Sequence, residues 1–266
     1  QVVAGAGHDT AAAVAAVPAA GQDWIYLSSG TWSLMGIEAA QPIIDDRSLA
    51  YDFTNEGGVG GTIRFLKNIV GLWLVQECRR EWQRAGEALS YDDLTQWAAA
   101  APPFGALVVA SDARFVAPEN MPARLQAACA ETRQRVPETR GEIVRCALES
   151  LALEYRRVAE ALDEMAGRRL PVIHVIGGGS RNGLLNQFTA DATGRTVVAG
   201  PVEATAMGNV LVQALALGEI ASLAEGRALV ARSFDAHTYQ PTPGATAAWD
   251  AAYERFQRLR LEGSRG

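Results

Sequence analysis

The stretch Val172-Ile-His-Val-Ile-Gly177-Gly-Gly-Ser-Arg181-Asn-Gly-Leu-Leu-Asn186-Gln-Phe-Thr-Ala-Asp191 decides the reading of this chain. An apolar, β-branched run predicts a strand over 172–176, and the pattern after Asn182 predicts a helix over 182–192. Three glycines lie between them. Bare backbone at the carboxyl end of a strand and the amino end of a helix lets a nucleotide approach amides without meeting side chains. A dinucleotide fingerprint requires G-x-G-x-x-G, but after Gly177 and Gly179 the next glycine is Gly183, one position late. Read without further context, the stretch is equally an ordinary strand-turn-helix with tight glycine packing.

Working outward, a strand is expected over 196–199. It leads into Gly200-Pro-Val-Glu-Ala-Thr-Ala-Met-Gly208. Near the amino terminus a strand is expected over 2–4, and Gly5-Ala-Gly7-His8-Asp9-Thr10 turns it into an alanine-rich helix over 11–17. Asp9 therefore stands near a helix start, where a carboxylate can cap backbone N–H groups. Strands over 24–29 and 34–38 flank Ser28-Ser-Gly-Thr31-Trp, which reads as a hairpin. Its Gly-Thr offers amides and a hydroxyl to phosphate oxygens. Further strands are expected over 50–54 and 105–110. Helices are expected over 68–85, 91–100, 121–135, 141–166, 206–217, 222–230 and 245–261. In the longest of these, Ile143, Ala147, Leu151, Tyr155, Val158 and Leu162 share one broad apolar face.

Taken together, Gly-Gly-Gly-x-x-Asn with a later Pro-Val-Glu-Ala-Thr-Ala-x-Gly-Asn resembles the adenosine-binding part of the FGGY carbohydrate kinases, members of the actin-like ATPase superfamily. Gly-His-Asp-Thr-Ala, Leu-Ser-Ser-Gly-Thr-Trp-Ser-Leu-Met-Gly and Thr54-Asn-Glu-Gly-Gly58 with Leu66-Lys-Asn68 are similar to the wording of its rhamnulokinase branch. These motifs run in one order from about Gln1 to about Glu219.

The resemblance implies a ribonuclease-H-like α/β domain, its mixed sheet flanked by helices. Residues 1–22 would form an inter-domain catalytic turn and helix, and 23–262 the carboxyl-terminal, nucleotide-binding half of a longer kinase whose amino-terminal domain is the partner. It also implies Asp9 as general base, because a sugar hydroxyl attacks phosphorus only as its proton is accepted. His8, Thr10 and Asn68 would line the sugar site. Thr31 would contact the nucleotide phosphates, Gln76 the nucleotide, Gly178 and Gly179 the adenine side, and Asn182 the adenosine seat. ATP and Mg²⁺ are the expected cofactors, L-rhamnulose the expected substrate, and the cytoplasm the expected location. The rival substrates are xylulose, fuculose and glycerol. A non-catalytic actin-like nucleotide-binding protein is the rival of another class, and a dinucleotide oxidoreductase would use Glu203 as its ribose acid.

Composition narrows the classes further. Over 266 residues, 48% hydrophobic and 20% charged is ordinary globular usage, and a formal charge of −6 argues against a nucleic-acid partner. No apolar run is long enough for a membrane span. Cys78, Cys129 and Cys146 lack metal-ligand spacing and are expected as buried thiols, although antiparallel helices could bring Cys129 and Cys146 together. His174 reads as a satisfied core residue and His237 as part of a terminal loop. No histidine pairs at ligand spacing, so no protein-bound transition metal is expected. Lys67, the sole lysine, is a weak candidate for a phosphate or sugar contact.

Overall fold

The computed structural model describes residues 2–117 and 119–263. Its chain divides into two compact units. The first comprises Gln1–Asn68, Val158–Arg181 and Arg195–Gln240, and holds a seven-stranded mixed sheet. In chain order the strands are β1 (Trp24–Ser29), β2 (Trp32–Ala39), β3 (Thr54–Gly57), β4 (Ile63–Val70), β5 (Val172–Ile176), β6 (Thr196–Ala199) and β7 (His237–Tyr239), arranged β3-β4-β2-β1-β5-β6-β7. β1, β5 and β6 run parallel, with Tyr26 opposite His174 and His174 opposite Val198. β1 with β2, β3 with β4 and β6 with β7 pair antiparallel.

Three helices of this unit, α1 (Asp9–Ala15), α8 (Ala204–Leu217) and α9 (Leu223–Ser233), cover one sheet face. Ala13, Val14, Ala16 and Val17 pack there with Trp24, Tyr26, Leu66, Ile176, Leu211 and Val230. The small side chains of α1 allow α8 to come close. A Cβ placed on Gly208 would lie 1.7 Å from the Ala12 carbonyl oxygen, so at this crossing backbone meets backbone.

The second unit comprises Ile69–Arg157, Asn182–Gly194 and Pro241–Gly266. It is helical: α3 (Trp73–Arg84), α4 (Tyr91–Ala100), α5 (Met121–Glu131), α7 (Gly183–Thr193), α10 (Thr246–Gly263) and the first part of α6 (Arg140–Ala166). The apolar stripe expected on α6 is buried, but so are Glu149, Ser150 and Glu154. Those polar groups are satisfied. Glu149 pairs with Arg145 and accepts the Phe104 N–H, Ser150 accepts from Val108, and Glu154 pairs with Arg157. Among the described residues no helix is long and apolar enough to cross a membrane.

Several expected elements differ. Residues 2–4 form no strand; Val2 is 99% exposed and nothing pairs with the segment among the described residues. The expected strand over 105–110 is absent because side chains serve as its ladder: Gln134 bonds both the N–H and the carbonyl of Leu107, and Ser150 takes the Val108 N–H. The strand expected over 50–54 starts only at Thr54, as β3, because a capping box between Asp45 and Ser48 begins a short helix, α2 (Asp46–Ala50), ahead of it. The helix expected from residue 68 begins at Trp73, because β4 runs to Val70. His237 belongs to β7, not a loop.

Candidate active site

Three connections leave the sheet at the carboxyl ends of β1, β5 and β6, the edge at which open α/β sheets receive ligands. From β1 comes Gly30-Thr31, closed by the Gly30 N–H donating to the Trp32 carbonyl at 2.9 Å. From β5 comes Gly177-Gly178-Gly179, held by the Ser180 N–H and hydroxyl donating to the Gly177 carbonyl at 3.0 and 2.7 Å. The segment after β6 ties back to the second: Gly177 N–H donates to Pro201 and Gly200 N–H to Val175. Parallel pairing of β1 with β5 thus sets Thr31 and Gly178 at one edge of one sheet.

The three glycines have different reasons to be glycine. Gly177 has φ +82°, the left-handed region in which a Cβ is strained. Gly179 is pressed on β1, where a Cβ would stand 2.0 Å from Ser29 Oγ and 2.5 Å from Ser29 Cβ. Gly178 has neither constraint: it is exposed, its φ is not left-handed, and a Cβ there would meet nothing within 4 Å. The turn presents open backbone at Gly178 alone.

Asp9 is the first residue of α1, and the cap position before it is His8, whose side chain makes no capping bond. The Asp9 carboxylate is exposed and accepts no hydrogen bond among the described residues; only its main-chain carbonyl is engaged, by Thr205 Oγ1 at 3.4 Å. Helix capping, the structural role open to it from sequence, is therefore not one its side chain performs. His8 is exposed and Thr10 half-buried beside it. Asn68 stands exposed near the end of β4.

Gln76 and Asn182 belong to the second unit. Gln76 is half-buried on α3. Asn182 caps α7, its Oδ1 accepting the Leu185 N–H at 3.0 Å.

Other residues have structural duties. Lys67 is no free cation for a phosphate: its ammonium donates to the carbonyls of Tyr51 and Asp52 and to the Asp52 carboxylate, three acceptors for three protons. Asn55 of the Thr-Asn-Glu-Gly-Gly motif bonds both the N–H and carbonyl of Ile43, and Glu56 pairs with the buried Arg64. His174 is in the core, edge-on to Trp24 at 5.9 Å, but it is not satisfied: Nδ1 has no partner among the described residues. Burial first, and the nearby Arg227 second, push its pKa down to about 4. Cys78, Cys129 and Cys146 are buried free thiols; those of Cys129 and Cys146 touch, and this contact raises Cys146, together with burial.

Sequence reading passes over Ser29. Alternation along β1 sends Ile25, Leu27 and Ser29 to one face, so a hydroxyl terminates an otherwise apolar row. That polar break was the available signal. Ser29 is 3% exposed, and its Oγ has no hydrogen-bond partner among the described residues.

Comparison with known proteins gives the family. Residues 25–217 match the FGGY family of carbohydrate kinases, C-terminal domain. The rhamnulokinase of Bacteroides thetaiotaomicron is 53% identical over 256 residues, covering 96% of this chain and 52% of that protein. The Bacillus subtilis rhamnulokinase is 43% identical over 241 residues, 91% of this chain and 49% of its own. The chain thus spans about half the length of the curated relatives it matches. Among solved structures, a ligand-bound xylulose kinase from Lactobacillus acidophilus superposes with TM-score 0.70 at 17% identity, over 94% of this chain and 49% of that one. The xylulose kinase from Rhodospirillum rubrum gives 0.68 at 18%, over 96% and 50%. Those likenesses show the fold, the mixed sheet flanked by helices of the actin-like ATPases. With the family match over residues 25–217 and relatives at 43–53% identity over more than nine tenths of its length, the chain belongs to the FGGY family of carbohydrate kinases and corresponds to their C-terminal domain.

Proposed function

We propose that this chain supplies the nucleotide-binding half of an ATP-dependent ketose kinase that transfers the γ-phosphoryl group to the 1-hydroxyl of L-rhamnulose. The observation that carries the nucleotide reading is Gly178. The fold needs no glycine there, so the bare backbone is explained by something that approaches it from outside. Gly178 and Gly179 would lie along the adenine side, with Gln76 and Asn182 as further nucleotide contacts, and Thr31 would offer its hydroxyl and the hairpin amides to the phosphates. The sugar preference follows from relatives named rhamnulokinase at 43–53% identity.

Asp9 is the group of this chain suited to accept the proton. Its carboxylate is exposed and not engaged by the fold. His8, Thr10 and Asn68 would orient the sugar hydroxyls around it. Residues 1–22 would join the two domains, the amino-terminal one completing the sugar pocket and phosphate grip. Among the described residues no group of three or more His, Cys, Asp and Glu side chains is placed to hold a metal ion. Mg²⁺ bound with the phosphates would neutralise their charge. Positioning and charge neutralisation are what phosphoryl transfer asks of a protein.

The test is a coupled ADP-release assay on a chain of the relatives' full length carrying these residues, with L-rhamnulose, L-fuculose and D-xylulose. Turnover highest with L-rhamnulose is expected. Preference for another sugar would move the substrate within the family, and no ADP release with any sugar would leave a nucleotide-binding protein without transfer activity.

A further inference from the structure

We infer that Ser29 is a positioning residue for the nucleotide, acting through the Gly177–Gly179 turn; this rests on the reading of that turn as the adenine side of the site. Ser29 ends β1 with its side chain under the turn, its Oγ so close to Gly179 that any Cβ there would overlap it at 2.0 Å. The hydroxyl is fully enclosed and finds neither donor nor acceptor among the described residues. A buried hydroxyl without a partner costs folding stability, and alanine would fill the same space without that cost. Packing therefore accounts for a small residue at position 29 but not for its oxygen.

The turn above it has one face fixed and one face free. Gly179 rests on Ser29, a Cβ on Gly177 would stand 3.1 Å from the Ser29 carbonyl oxygen, and Gly178 between them looks onto open space. A ligand pressing on Gly178 changes the orientation of the two peptide groups on either side; the Ser180 hydroxyl is already committed to the Gly177 carbonyl, and the hydroxyl against the turn that has no partner among the described residues is that of Ser29. The hydroxyl takes its hydrogen bond in the ligand-bound arrangement of the turn and holds that arrangement in place. Its contribution goes to nucleotide affinity, and its cost falls on the unliganded protein.

The experiment compares wild type and Ser29→Ala by titration calorimetry with ADP and, separately, adenosine, alongside thermal melts. For Ser29→Ala the expected result is a melting temperature equal to or above wild type, with affinity for both probes weakened by roughly threefold to tenfold, the worth of one neutral hydrogen bond. Hydrogen exchange at the amides of residues 178–180 should slow on ADP addition in wild type and slow less in the variant. Equal affinity in the two proteins would overturn the inference, as would a lowered melting temperature with unchanged affinity, which would make the hydroxyl a part of the fold. If Ser29→Ala does not fold, Ser29→Cys, which keeps a side chain of similar shape but donates weakly, is measured the same way with the same expectation. A wild type that binds neither probe would remove the nucleotide reading itself, an outcome distinct from equal binding by both proteins.

Discussion

Gly208→Ala gives a test in which two effects of opposite sign compete. Gly208 lies inside α8, where replacing glycine with alanine ordinarily stabilises a helix by about 1 kcal/mol. Here the new Cβ would sit 1.7 Å from the Ala12 carbonyl oxygen and 2.4 Å from its carbon. A carbon–oxygen contact settles near about 3.3–3.6 Å, so α1 and α8 would have to part by on the order of 1.5 Å. No rotamer change relieves this, since both partners are main chain. Overpacking costs about 1–3 kcal/mol, and the rigid partner puts this case at the upper end. The net loss is about 2 kcal/mol, equivalent to a fall in melting temperature of about 4–8 °C for a chain of this size.

Gly226→Ala in α9 is the matched comparison. Its Cβ would meet only the methyl ends of Ile220 and Leu211, at 3.1 and 3.2 Å, so the helix-propensity gain should leave stability near or above wild type. Differential scanning calorimetry on the three proteins reads the contrast. If Gly208→Ala melts at or above wild type, the close crossing of α1 on α8 is wrong. A kinetic consequence follows for the proposed base in a chain of the relatives' full length: Asp9 heads α1, and displacement of a reacting group by about 1 Å costs about a hundredfold in rate.

Asp9→Asn in the same full-length protein should lower turnover by about a hundredfold or more, with ADP affinity unchanged; near-normal turnover would remove Asp9 as the base. Gly178→Val should leave the fold intact, because the added side chain enters open space, yet weaken ADP binding measured by calorimetry; unchanged affinity in a folded variant contradicts the site. His174 is held neutral in the folded state, so its depressed pKa makes stability complete above about pH 6.5 and progressively lost towards pH 4, as the unfolded chain binds the proton first. The loss reaches up to about 3 kcal/mol, and the His174→Phe variant should show a shallower fall of melting temperature between pH 7 and pH 4.5.

How much was legible in the sequence depended on whether a segment's own residues dictate its state. α4 matches its expected bounds because Ser90 and Asp93 form a local capping box and the alanines that follow have nothing competing. The β5-turn-α7 unit is equally local. β4 was not legible: Ile63-Arg-Phe-Leu-Lys-Asn-Ile-Val lacks clean alternation, since Arg64 is buried and compensated by Glu56 and the Gly57 carbonyl, contacts supplied by another strand. The segment over 105–110 has strand composition and failed to become one because Gln134 and Ser150 bond its main chain. Of the candidate site, the edge carrying Thr31 and Gly178 was legible from glycine placement. For Ser29 the sequence offered only the polar break in an apolar row; that its hydroxyl is orphaned is a property of three-dimensional packing.

The residues of the family motifs separate by whether the fold itself requires them, and this separation carries its own test. Gly177 is required by its φ, Gly179 by Ser29, Gly208 by Ala12, Asn55 by Ile43, and Asn182 by the Leu185 amide. Nothing comparable holds Asp9, Asn68 or Gly178, whose side chains or Cα face no partner among the described residues. Substitutions in the first group should act on stability, and those in the second on binding or turnover with stability preserved. Asn182 is the informative case, because the resemblance assigns it to adenosine while the structure assigns its Oδ1 to the helix end. Loss of an N-cap costs about 1 kcal/mol, so Asn182→Ala should lower the melting temperature by about 2–4 °C. Asn182→Asp keeps the capping oxygen and removes the amide protons, the only donors the side chain could offer a nucleotide. If Asn182 contacts the nucleotide, Asn182→Asp melts like wild type but binds ADP more weakly; if it binds ADP as wild type does, Asn182 is a cap and its place in the nucleotide site is lost.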